Sequence, residues 1–129
     1  MFPLPTKKLI NLLFVCITNM DENKLIQNTK IIYSSAELVF QNKDYTSATI
    51  LYFKTLFCIF DLILLRECGK TPKDHTERFR MLEDNKPLLF EFLDKSFKIY
   101  RDTYSISIDK QTCEEIRKNV KRIIEEYKI

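Results

Sequence analysis

A single glycine and four prolines are spread over 129 residues, and this scarcity narrows the folds open to the chain more than any other feature. Tight hairpin turns, phosphate-cradling loops and dinucleotide-binding crossovers all rely on glycine at positive φ. A chain almost without glycine is left with long helices and few joints. Hydrophobic residues make up 45% of the chain and charged residues 30%, which excludes a disordered tail or fibrous repeat and fits one folded domain over residues 1–129. The formal net charge of +3 establishes no nucleic-acid partner, although it leaves room for a local basic patch.

Apolar spacing predicts six helices. Residues 6–19 read as a first helix, apolar enough to need cover from the bundle or from another subunit, which makes 1–19 a candidate packing or dimerisation segment. Asp21 is placed to cap a second helix over residues 22–41, where Leu25, Ile26, Thr29, Ile32, Tyr33, Ala36 and Phe40 form one stripe. Asp44 can cap a third, which runs to residue 67. Its stretch Ile50 to Leu65 is apolar on nearly all sides but carries Lys54 and Asp61, so it reads as a core helix rather than a membrane span. Gly69 is placed to end that helix in a left-handed conformation, and Asp74 with Glu77 has the spacing of a capping box that opens a short fourth helix through Glu83. Asn85 and Pro87 mark the next break, a fifth helix follows over 87–104, and Ser107 or Asp109 can cap a sixth over 110–127. The expected fold is all-α, an up-and-down antiparallel helical bundle with four long helices plus short additional helices.

The four cysteines are widely separated and form no Cys-x-x-Cys pair, which suits free thiols in a reducing cytoplasm. Leu9 to Ile17 is too short to cross a bilayer and has no small-residue cleavage site behind it, so no membrane association is expected. One histidine and no cysteine pair predict no metal site and no cofactor.

Few residues are candidates for chemistry. His75 stands near a helix start, where the positive end of the helix dipole disfavours its protonation. Its alternatives are a hydrogen bond across the joint or a functional role. Lys54 and Asp61 are two turns apart and cannot readily pair, so each needs a partner elsewhere. For Asp61 the candidates are Arg101, His75 or a tyrosine. Lys98, Arg101 and Tyr104 follow one another at single-turn spacing; a guanidinium fork beside a tyrosine ring is the minimal chemistry for a nucleotide or single-stranded RNA phosphate. The basic residues of the last helix are interleaved with acids, and Glu114 with Lys118 and Arg122 with Glu126 have the spacing of ordinary helix-face pairs.

From Ile32 to Ile124 the chain resembles the HEPN superfamily, the helical domains named for higher eukaryotes and prokaryotes nucleotide binding. The residues that carry the likeness are Asn42-Lys43-Asp44-Tyr45 at a helix joint, Ala48 and the apolar helix to Leu65, Gly69 to His75, and Tyr100-Arg101-Asp102-Thr103-Tyr104. It looks most like the small, free-standing archaeal members, with His75, Arg78 and Phe79 in the segment after the turn. The resemblance implies a homodimer that works beside a nucleotidyltransferase-like protein partner or in a toxin-antitoxin system, with a nucleotide or RNA as ligand. Some members cleave RNA without metal, using an arginine and a histidine a few residues later. Arg101 matches that arginine by position, but Ile106, Ser107 and Ile108 follow and no histidine comes after it. The expected function is therefore a non-catalytic module that dimerises, binds a protein partner and holds a phosphate through Arg101, Tyr104, Lys98, Asp61 and His75. The alternatives are a divergent metal-independent ribonuclease using Arg101 and His75, assisted by Tyr104, and a purely structural oligomerisation protein.

Overall fold

The computed structural model describes the backbone of residues 6–129 and the side chains of 22–129. Five helices of unequal length follow in order: α1 (Thr6–Gln41), α2 (Tyr45–Cys68), α3 (His75–Asn85), α4 (Pro87–Asp102) and α5 (Lys110–Tyr127), with no strand among the described residues. The expected break near Asp21 is absent, and one helix spans Thr6–Gln41. Asp21, Glu22 and Asn23 cost a helix interior only a few tenths of a kcal/mol each, and without Gly or Pro nothing there stops propagation. Capping by Asp21 and the packing role of 1–19 lie outside the described side chains.

α2 is the helix that all four others touch. Tyr52, Phe53, Leu56, Ile59, Phe60 and Leu64 on it are fully buried, which explains why its sequence is apolar on nearly all sides. It is also long and apolar enough to cross a membrane, but most of its apolar surface faces the other helices. Lys54 is exposed rather than buried, so water solvates the charge and the expected partner is not needed.

The contacts between helices fix their directions in pairs. Glu22 meets Arg66 at 2.6 Å and Phe40 meets Tyr45 at a ring distance of 5.6 Å, so α1 and α2 are traversed in opposite order. Phe53 lies 5.4 Å from Tyr100 and Phe57 lies 6.4 Å from Phe97, again in opposite order for α2 and α4. α5 enters beside the start of α2, where the Ile108 N–H donates to the Thr46 hydroxyl at 2.8 Å.

The helix ends follow the local chemistry of their residues. Asp44, Asp74 and Asp109 accept the N–H groups of Ser47, Glu77 and Thr112 at 3.1, 2.9 and 2.8 Å, each satisfying an orphan donor of a first turn. Asp109, not Ser107, therefore caps α5. Gly69 ends α2 at φ 76° with its N–H on the Leu65 carbonyl at 2.9 Å. α4 stops two residues before the expected Tyr104, because the Thr103 hydroxyl donates to the Tyr100 carbonyl at 2.5 Å and a turn follows.

A charged clasp joins α1, α2 and α5. Arg117 donates to both carboxylate oxygens of Glu37 at 2.7 and 3.1 Å, the Tyr52 and Tyr33 hydroxyls also donate to Glu37, and Lys121 approaches within 3.6 Å. The Arg117 guanidinium lies 4.4 Å from the centre of the Phe40 ring. Burial works to raise the Glu37 pKa, but the Arg117 and Tyr52 hydrogen bonds and the two cations outweigh it and hold the carboxyl near about 2. At the surface of α5 the Arg122 and Glu126 pair is present at 3.8 Å, whereas Glu114 faces Lys110 at 3.9 Å rather than Lys118.

Candidate functional site

Of the polar groups singled out in the sequence, Asp61, His75 and Tyr104 gather where α2, α3 and the end of α4 meet. Gly69 lets the chain turn out of α2, the Asp74 cap fixes the start of α3, and His75 is thereby set as the first residue of that helix. Its ring lies 4.7, 5.5 and 6.0 Å from those of Phe57, Phe97 and Tyr100. One turn further on, Arg78 is buried and donates from Nε and Nη2 to both oxygens of Asp61 at 2.8 and 3.0 Å. Its Nη1 lies 2.7 Å from Nδ1 of His75.

Arg78 is the hub that the sequence reading missed. Asp61 pairs with it, not with Arg101, His75 or a tyrosine. The available signal was spacing: His75 and Arg78 are one helical turn apart and so share a face.

The geometry fixes the protonation of the histidine. Arginine has only donors, so His75 Nδ1 must accept and the neutral ring carries its proton on Nε2. Burial and the Arg78 charge hold its pKa below the usual value against the opposing pull of Asp61 and Asp74. At neutral pH the imidazole is an uncharged Nε2–H donor on an exposed residue.

At the end of α4, Tyr100 is buried and Tyr104 is 78% exposed. Their rings cross edge to face at 5.7 Å and their hydroxyls lie 3.1 Å apart. Burial and the hydrogen bond to Tyr104 push the Tyr100 pKa up to about 12, so it stays a neutral hydroxyl. The structure thus links Asp61 to His75 through Arg78, and His75 to Tyr104 through the ring of Tyr100. Lys98 and Arg101 stand exposed on α4 outside this set, and among the described residues neither forms an ion pair or side-chain hydrogen bond.

A hollow of about 450 Å³ lies elsewhere, between the α3–α4 joint and the end of α5, and includes Lys86, Leu88, Phe92, Arg122 and Tyr127. Its cations are already engaged, Lys86 with Glu67 at 2.7 Å and Arg122 with Glu126. Asp61 also borders a shallower hollow of about 250 Å³ with Lys24, Asn28 and Thr71. No family model matches the chain, and no curated protein or solved structure matches it either.

Proposed function

We propose that this chain is a non-catalytic, HEPN-like helical module of the cytoplasm, an up-and-down bundle of four long helices and one short one. It pairs with a second copy, docks on a protein partner such as a nucleotidyltransferase-like protein, and holds a nucleotide or RNA phosphate at the end of α4. The observation that carries the reading is that Lys98 and Arg101 on the last turns of α4 and Tyr104 just after its end are all exposed. Two positive side chains without acid partners among the described residues are available to a phosphate, and a solvent-facing tyrosine ring is available to a base. The negative end of the α4 dipole and neighbouring Asp102 oppose an anion there, so the binding is weak and depends on both cations.

Anisotropy of a labelled single-stranded RNA, with metals chelated and salt varied, tests this. Two phosphate contacts give a slope of log affinity on log salt of about −1.4, and Arg101→Ala reduces it by about 0.7. Binding with no salt dependence, or unchanged in Arg101→Ala, refutes the site. RNA cleavage lost in both Arg101→Ala and His75→Ala, with folding intact by circular dichroism, would establish the ribonuclease instead.

A further inference from the structure

The packing leaves a slot between the start of α4 and the end of α5. Both helices lie on α2, yet no Cα of α4 comes within 8 Å of one in α5. A hollow of about 450 Å³ occupies this gap, a size within the range of about 300–1,000 Å³ common to small-molecule sites. Leu88, Leu89 and Phe92 of α4 form one wall, and Tyr127 of α5 stands in the other. Leu88 is 81% exposed, so the mouth of the slot lies open to solvent. Phe92 and Tyr127 are half-buried, which leaves ring surface for an aromatic guest. The Lys86 ammonium, held by Glu67 at 2.7 Å, lies 6.0 Å from the centre of the Tyr127 ring and braces that wall.

The charge left at the slot is one cation and one anion, each incompletely satisfied by the other. Arg122 Nη1 and the Glu126 carboxylate stand 3.8 Å apart, too far for a hydrogen bond, and both side chains are more than half exposed. Nη2 of Arg122 donates to Asn119 at 3.1 Å. Nε and Nη1 of Arg122 and both oxygens of Glu126 keep their hydrogen-bonding capacity among the described residues. The helix ends repeat the two signs: α4 begins here without a side-chain cap, at the positive end of its dipole, and α5 stops here at the negative end of its own.

We propose that this slot binds a free aromatic α-amino acid. The ring enters between Leu88, Leu89, Phe92 and Tyr127, the α-carboxylate pairs with Arg122, and the α-ammonium pairs with Glu126. A zwitterion is the ligand that meets both charges at once, whereas a ligand of one sign satisfies one of them and is repelled by the other. The pairing displaced is a loose, solvent-exposed one that costs little to break. The site lies at the start of α4, apart from the phosphate reading at its other end, and does not depend on it.

Amide proton–nitrogen spectra of the full chain titrated with L-phenylalanine test the proposal. The amides of Leu88, Leu89 and Tyr127 are expected to shift saturably with a Kd of about 1 mM or tighter. Phenylacetate lacks the ammonium, phenethylamine lacks the carboxylate and L-alanine lacks the ring, and each is expected to bind at least about tenfold more weakly. Arg122→Gln, Glu126→Gln and Leu88→Glu, all at exposed positions, keep the helical circular dichroism and each weaken L-phenylalanine at least about fivefold. No saturable shift by about 10 mM overturns the site. Phenylacetate or phenethylamine binding as tightly as L-phenylalanine overturns the zwitterion, and an affinity unmoved by the three substitutions overturns the placement in this slot.

Discussion

Glu37→Gln preserves the shape of the α1–α2–α5 clasp and removes its negative charge. In the folded protein the Glu37 pKa falls from 4.5 to about 2, with burial opposed and outweighed by the hydrogen bonds of Arg117 and Tyr52 and the charges of Arg117 and Lys121. At 1.36 kcal/mol per pKa unit the full shift corresponds to about 3 kcal/mol, and solvent reaching the quarter-exposed side chain reduces this to about 2 kcal/mol. The folded pKa is the lower one, so this stability is fully present above about pH 4.5 and is lost as pH falls towards 2. Urea unfolding followed by circular dichroism at pH 7 and pH 3 measures it. The variant is expected to be about 2 kcal/mol less stable at pH 7, with less than half of that gap left at about pH 3. The same gap at both pH values, or one under about 0.5 kcal/mol at pH 7, refutes the argument.

Arg78→Met leaves Asp61 without its bidentate partner, and urea unfolding should register a loss of about 3 kcal/mol. Gly69→Ala places a Cβ at φ 76°, with an expected cost of about 1 kcal/mol in the same assay; no change would mean that the turn relaxes to negative φ. Cys113 is fully buried and its thiol pKa is pushed up by that burial, so a disulfide reagent should reach it only after unfolding. Reaction of Cys113 as fast as the half-buried Cys58 and Cys68 would contradict its placement.

The helices were legible because their ends are written in short-range chemistry. Asp44, Asp74 and Asp109 act within one turn of their own positions, and Gly69 decides its joint alone. The missed features depend on what is absent or on what is distant. The continuity of α1 through Asp21 arises because no residue there is costly enough to break a helix, and a capping residue by itself does not force a start. Lys54 looked buried in an apolar run, although one outward position is enough to release its ammonium to water. Glu37 and Arg117 are 80 residues apart, and Asp61 and Arg78 are 17 apart, so no helical spacing links either pair. Asp61, His75 and Tyr104 were singled out as candidates from the sequence, whereas Arg78, which joins Asp61 to His75, and Tyr100, which stands between His75 and Tyr104, were given no role there.

The hydrogen bond between Arg78 and His75 bears directly on the choice between binding and catalysis. A ribonuclease needs a base with a free ring nitrogen and an acid that carries a proton at working pH. Here Nδ1 is occupied by the Arg78 guanidinium and Nε2 holds the hydrogen. Protonating Nδ1 would set two donors against each other beside a buried cation, the same repulsion that helps hold the His75 pKa down. For His75 to shuttle a proton, Arg78 would have to release it while remaining held by both oxygens of Asp61. The arrangement makes His75 a brace between the aromatic cluster and α3. As the chain has one histidine, its imidazole resonances in a nitrogen-15 spectrum are unambiguous. At pH 7 they should report the Nε2–H tautomer, and Arg78→Met should shift the titration upward, since burial alone then opposes the charge. A proton on Nδ1 in the wild-type protein, or a titration unmoved by the substitution, would release the histidine from this role and restore it as a candidate catalytic group.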